Sequence, residues 1–216
     1  MKAFFINASP RKNWNTAKLL REAMRGAEDA GAEVEFVNLF DFEFTGCRAC
    51  FACKLKNSKT DGVCAVHDSI RPLLEKLRHA DVVIFGSPVY YSYPTGQFRN
   101  LLERFLFPRM TYNRNESGYE MVVDKKIKTG LIFTMNATEE QFNMYGFESL
   151  LAANGKTLEI VCGHNETMYV FNTYQFTNYD KYNANAFSEE SKRKYRDEHF
   201  PIDLQNSYEL GKRLAS

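Results

Sequence analysis

Ser9-Pro10-Arg11-Lys12-Asn13-Trp14-Asn15-Thr16 lies between a short apolar run, Ala3 to Ile6, and a stretch whose apolar residues recur at helical spacing through Leu19, Leu20, Ala23, Met24 and Ala27. The run is aromatic and β-branched and reads as a buried strand; the stretch reads as an amphipathic helix. A polar loop of Ser, Arg, Asn and Thr between a first strand and a first helix suits a phosphate monoester. Hydroxyls and amides donate hydrogen bonds, Arg11 supplies charge, and a helix N-terminus presents unpaired N–H groups with a favourable dipole. An ordinary βα turn with a polar N-cap has the same composition, and the loop alone does not separate the two. Neither Gly-x-Gly-x-x-Gly nor Gly-Lys-Ser/Thr occurs here, so a phosphate at this loop would be a single terminal one.

Outward from the loop, Gly31 marks a helix stop and Glu33 to Leu39 alternates polar and apolar residues as a strand does. Leu73, Leu74 and Leu77 share a face of a helix over Ile70 to Leu77. Asp81-Val82-Val83-Ile84-Phe85-Gly86 is a continuous apolar run bounded by turn residues, a central strand buried on both faces. A helix follows from Gln97 to Leu106, closed by Pro108. Residues 109–124 are polar and irregular and read as an excursion. Beyond them the pattern predicts a strand over Lys128 to Met135, a helix over Glu139 to Ala153, a strand over Lys156 to Cys162 and a last helix over Leu204 to Leu214.

Strands alternating with helices predict an α/β fold with a parallel sheet covered on both faces. In such a sheet ligands bind outside the C-terminal ends of the strands, where strand order reverses. For the order 2-1-3-4-5 that crevice lies between the loops after strands one and three, Ser9–Thr16 and Ser87–Pro94. The second loop, Ser87-Pro88-Val89-Tyr90-Tyr91-Ser92-Tyr93-Pro94, offers aromatic faces and a tight backbone to a flat heteroaromatic ring, although a turn whose aromatics cap the core has the same residues. FMN carries both a terminal phosphate and such a ring.

A chain of 216 residues with 44% hydrophobic content is long enough for one full core, so a single domain over 1–216 is expected. Net charge is +1 with both signs dispersed, which excludes a field that would gather nucleic acid or an anionic membrane. No apolar run approaches the ~18 residues of a membrane span, and no leader pattern opens the chain, so a cytoplasmic location is expected. The Asn-x-Ser/Thr triplets at Asn7, Asn115, Asn136 and Asn165 are then irrelevant to glycosylation, and the five cysteines are thiols or metal ligands rather than disulfides.

The 9–16 loop, the cysteine-bearing segment 47–64 and ADVVIFGSPVYYSYPTGQFRNLLER at 80–104 together resemble the NADPH-dependent FMN reductase branch of the flavodoxin-like superfamily. The resemblance implies a three-layer αβα sandwich on a five-stranded parallel sheet of order 2-1-3-4-5. It implies that Ser9, Arg11, Asn15 and Thr16 hold the FMN phosphate, that Pro88, Val89, Tyr90, Tyr91 and Ser92 border the isoalloxazine ring, several through backbone groups, and that Thr134 to Ala137 supplies a third edge. Relatives often carry Gly where this chain has Trp14, and Gly where it has Ala8. Trp14 would be strained if its position required φ > 0.

Cys47-x2-Cys50-x2-Cys53-x10-Cys64 leaves several readings open. Similar iron–sulfur flavoproteins hold a [4Fe–4S] cluster on a compact four-cysteine run, which has a shorter last gap. Cys50, Cys53, Cys64 and His67 have a zinc-like spacing, and a redox disulfide is a further option. Free thiols with no metal are the reading carried forward. Cys162 reads as a small buried hydrophobe, and His79, His164 and His199 have no evident partner. Aromatics crowd the extension at 164–200 (Tyr169, Phe171, Tyr174, Phe176, Tyr179, Tyr182, Phe187); they close a sheet face, form a lid, or make the subunit contact favoured here.

The expected activity is that of an FMN-dependent NAD(P)H oxidoreductase whose acceptor is a small molecule: a quinone, an azo or nitro compound, or free flavin. The resemblance implies a homodimer or homotetramer. An iron–sulfur flavoprotein or a flavodoxin-type electron carrier is the alternative, although carriers are typically acidic and this chain is near neutral.

Overall fold

The computed structural model describes residues 1–116 and 118–216; residue 117, inside the 109–124 excursion, lies outside the described residues. In chain order the elements are β1 (Lys2–Asn7), α1 (Asn15–Asp29), β2 (Glu33–Asn38), α2 (Arg71–Arg78), β3 (Val82–Tyr90), β4 (Tyr93–Pro94), α3 (Gly96–Leu106), β5 (Met110–Asn115), β6 (Gly118–Met121), β7 (Ile127–Thr134), α4 (Glu139–Met144), α5 (Phe147–Cys162), β8 (Gly163–Val170) and α6 (Glu189–Leu214). The parallel sheet runs β2-β1-β3-β7-β8, which is the expected order, and β4 folds back antiparallel on the end of β3.

Alternation along each strand divides the core into two. Phe4, Ile6, Val83, Phe85, Leu131 and Phe133 pack with Leu73, Leu77, Leu101, Phe105 and Leu158 of α2, α3 and α5. Their neighbours Ala3, Phe5, Val82, Ile84 and Ile132 pack with Leu19, Leu20, Ala23, Leu210 and Leu214 of α1 and α6. A period of two in the strands against helical spacing in the helices makes the three layers.

α1 and α6 touch at their backbones. A Cβ on Gly26 would lie 2.1 Å from the Tyr208 carbonyl oxygen, and one on Gly211 would lie 1.8 Å from that of Ala23. Between them the buried Ser207 hydroxyl donates to the Leu19 carbonyl at 2.7 Å.

Four expectations from the sequence are corrected. Lys156 to Cys162 is the end of α5, and the fifth parallel strand is Gly163–Val170. Leu151, Leu158, Val161 and Cys162 keep helical spacing and are buried, and Gly163 ends the helix at φ +105°. The β-branched content of that stretch pointed the other way. The single helix over Glu139 to Ala153 is two, α4 and α5, separated at Gly146 with φ +66°. The irregular excursion contains a hairpin, β5 with β6. The last helix starts at Glu189, not Leu204: its first half is too polar to show a period, and it continues through Pro201. Among the described residues no helix is long and apolar enough to cross a membrane.

Gly211→Ala is expected to cost about 1–3 kcal/mol by overpacking, read as a fall in Tm. Gly96→Ala, where nothing lies within 4 Å, should leave Tm unchanged.

Candidate functional site

The loop after β1 is built by short-range bonds. The Asn7 side chain accepts from the Ser9 N–H at 3.2 Å, and the Ser9 hydroxyl from the Arg11 N–H at 3.1 Å. Trp14 occupies the N-cap of α1 and has no oxygen to offer, so no side-chain cap closes that helix. The first-turn N–H groups therefore stay available to an external acceptor. Trp14 has φ −108°, so the strain that its size threatened does not arise. Beneath the loop the buried Thr16 and Thr134 hydroxyls share a hydrogen bond of 2.8 Å, joining the start of α1 to the end of β7.

These groups surround a cavity of about 100 Å³ at the C-terminal edge of the sheet. Of the residues expected from the sequence, it is lined by Ser9, Arg11, Asn15, Thr16, Pro88, Val89, Tyr90, Thr134, Met135 and Asn136, while Ala137 is not part of its lining. Tyr91 and Ser92 are placed elsewhere. They form the tip of the β3–β4 turn with φ +49° and +72°, and Tyr91 is 100% exposed. Two positive φ values are what a tight hairpin requires. A larger hollow of about 720 Å³, lined by Lys2, Glu33 and His79 among others, lies at the opposite, N-terminal ends of the strands.

Thr173 and Gln175 also line the cavity, and nothing in their own sequence announced it. They belong to a strap that leaves β8, bonds back just past the end of β7 through the Thr173 N–H and the Met135 carbonyl at 2.9 Å, and crosses the 9–16 loop. The Tyr174 carbonyl accepts from Trp14 Nε1 at 3.1 Å and from Asn15 Nδ2 at 2.9 Å, and the Gln175 carbonyl accepts from Arg11 Nη1 at 2.5 Å. The Arg11 guanidinium lies 3.9 Å over the Trp14 ring. The Tyr174 ring is buried and its hydroxyl donates to Glu189 at 2.7 Å. Within the aromatic extension, Tyr169 and Phe171 pack against Phe142, the Tyr174–Gln175 backbone closes over this chain's own loop, and Tyr182 and Phe187 stay exposed.

Behind the strap, Asp203 lines a small pocket with Tyr174, Tyr195 and Phe200. Burial pushes its carboxyl up to about 6, opposed by His199. Because the fold favours the protonated form, the associated stability is present below the ordinary Asp range and is lost as pH rises through about 6.

The cysteines lie on the other face of α3. Cys47 and Cys50 are exposed, Cys53 is half-buried and its thiol is pushed up by burial, and Cys64 is buried. Arg104, 1% exposed, pins both flanks of the segment: it donates to the Thr45 and Val66 carbonyls and holds Asp68 at 2.5 and 3.0 Å. Cys47 also borders an apolar hollow of about 270 Å³ between α3 and α5. Cys162 ends α5, and burial pushes its thiol up to about 11. Among the described residues no group of three Cys, His, Asp or Glu side chains is placed to hold a metal ion.

A donor-rich loop at a helix N-terminus, a turn after the third strand and the end of the next strand meet at the C-terminal edge of a flavodoxin-like 2-1-3-4-5 sheet, the edge at which such sheets take their ligands. The chain belongs to the NADPH-dependent FMN reductase family, whose model matches residues 1–127. Over 124 residues it is 36% identical to an iron–sulfur flavoprotein of Methanocaldococcus jannaschii, a match that covers 57% of this chain and 62% of that relative, less than two thirds of its length. An iron–sulfur flavoprotein of Methanosarcina thermophila is 28% identical over 148 residues, 68% of this chain and 75% of that one. The fold is shared with an NAD(P)H:quinone oxidoreductase from Methanothermobacter marburgensis (TM-score 0.69, 14% identity, 100% and 98% of the two chains). It is shared equally with an azoreductase from Bacillus anthracis (TM-score 0.69, 12% identity, 99% of each).

Asp68→Asn, which strands the buried Arg104, is expected to cost about 3–5 kcal/mol in urea unfolding; Glu103→Gln, at the exposed Arg99 pair, should cost under about 1 kcal/mol. Asp203→Asn is expected to raise Tm at pH 7.5, with the gain shrinking towards pH 4.5.

Proposed function

We propose that this chain binds FMN at the C-terminal edge of its sheet and passes electrons from NAD(P)H to a small acceptor such as a quinone, an azo or nitro compound, or free flavin. The observation that carries the reading is the meeting, in one cavity, of Ser9, Arg11, Asn15 and the uncapped start of α1 with the Pro88–Tyr90 turn. The donor set fits a phosphate dianion: hydroxyl, amide and guanidinium groups surround it, and no carboxylate lines the cavity.

Bound FMN would supply hydride acceptance and release, chemistry that no side chain here provides. The chain's own residues bind and orient. Arg11 has five N–H donors and gives one to the Gln175 carbonyl, which leaves the others for phosphate oxygens; Asn15 likewise keeps a second amide hydrogen. Thr16, tied to Thr134, sets the floor beneath the phosphate and keeps the loop and the third edge at a fixed distance. Pro88, Val89 and Tyr90 present a stiff backbone and one aromatic face to the ring. With one crevice for donor and acceptor, turnover would alternate between them, and NAD(P)H consumption would depend on added acceptor.

Exposed Tyr90 at the cavity, with Tyr91 and Tyr93 exposed on the adjoining turn, supports a homodimer or homotetramer whose neighbouring chain borders the site. A second reading, an iron–sulfur flavoprotein serving protein partners, is favoured by the names of the curated relatives and by the four clustered cysteines. The near-neutral charge supports the enzyme over an acidic carrier.

Protein purified without oxygen should show two flavin bands, or gain them on FMN titration, and NAD(P)H should bleach them. A broad extra shoulder with bound iron would favour the second reading, and a protein that stays colourless with FMN would overturn both. Arg11→Ala should weaken FMN about 10- to 100-fold, the worth of hydrogen bonds to a charged group.

A further inference from the structure

Lys192 is a lysine in an unfavourable place. It sits in the first turns of α6, four residues after the N-cap Ser188, where the helix dipole disfavours positive charge, and it is 6% exposed. The neighbouring Glu189 is committed elsewhere, to the Tyr174 hydroxyl and to Arg193. The Nζ of Lys192 donates to one residue twice: to the Asn136 carbonyl at 2.9 Å and to Asn136 Oδ1 at 2.5 Å. The Phe187 ring lies 5.3 Å away. Asn136 in turn lines the cavity assigned to FMN.

The chemistry of this contact is one-sided. An ammonium group only donates, so the amide end that faces it must be the oxygen. Asn136 is thereby fixed with Oδ1 turned to Lys192, and Nδ2, which carries two hydrogens, is the end left for a ligand. Without the lysine the amide is free to rotate and offer either an acceptor or a donor. A buried cation one residue behind the cavity wall also raises the potential felt inside it, in a medium that screens it poorly. Both effects favour a ligand that accepts hydrogen bonds and gains electron density.

We propose that Lys192 is a positioning residue that locks Asn136 as a hydrogen-bond donor to the flavin ring and biases the site towards reduced FMN. The proposal rests on the FMN reading above and goes beyond it by assigning a role to the C-terminal helix.

The test compares wild type, Lys192→Met, Lys192→Arg and Asn136→Asp in FMN affinity, measured for the oxidised and the dithionite-reduced cofactor, together with Tm. In Lys192→Met the preference for reduced over oxidised FMN should fall about tenfold, about 30 mV for a two-electron couple. Lys192→Arg, which keeps charge and donors, should restore it. Asn136→Asp keeps an oxygen for Lys192 but puts an acceptor where the donor was, and should weaken oxidised FMN about tenfold without loss of Tm. If Lys192→Met does not fold, Asn136→Asp decides by itself. Wild-type preference in Lys192→Met, or wild-type affinity in Asn136→Asp, overturns the proposal and leaves the FMN reading intact. Failure of wild type to bind FMN in either state overturns both.

Discussion

A Cβ on Gly86 would lie 2.8 Å from Thr16 Cγ2 and 2.7 Å from Leu20 Cδ1, closer than real side chains approach. The first turns of α1 can press on β3 only because that residue has no side chain. The close approach places Thr16 within reach of Thr134 on the next strand, holds the 9–16 loop over the sheet edge, and lets the Ala8 N–H bond the Gly86 carbonyl at 2.8 Å. The loop, the β3 turn and the end of β7 are walls of one cavity as a consequence of that contact.

The second constraint comes from the far end of the chain. α6 lies on α1 with backbone against backbone at Gly26 and Gly211, so the helix has one position along α1 and the strap before it has a fixed landing place. From there Tyr174 is wedged between Tyr179 and the Arg196 guanidinium, and its carbonyl, with that of Gln175, meets Arg11, Trp14 and Asn15. Trp14 accordingly serves two ends. Its size removes the usual N-cap oxygen and leaves the helix start open, and its indole N–H ties the strap down.

The cysteine segment is ordered from one side. Arg104 reaches it from α3 and satisfies backbone carbonyls at both flanks, with Asp68 as its counter-ion, so the ends of the segment are fixed while Cys47 and Cys50 between them remain at the surface. A buried guanidinium is costly unless paired, and this pairing makes the loop's ends part of the core rather than a surface appendage.

The sequence by itself determined the layers, the first four parallel strands and the polar 9–16 loop, because each rests on local signals: a period of two or of helical turns, a turn residue, a polar run between a strand and a helix. Ten of the thirteen residues it named for the site line the cavity; Ala137 does not, nor do Tyr91 and Ser92, which sit at a hairpin tip whose positive φ values side-chain chemistry does not announce. It misplaced the last strand, because Thr157, Ile160 and Val161 give Lys156 to Cys162 a strand-like composition although only Val161 of the three is on the buried face of the helix they form. What only the tertiary structure decided is the part played by the last quarter of the chain. The strap acts through backbone carbonyls, which every residue carries, and Lys192 acts through a contact with Asn136 across 56 positions, so neither leaves a local pattern to read.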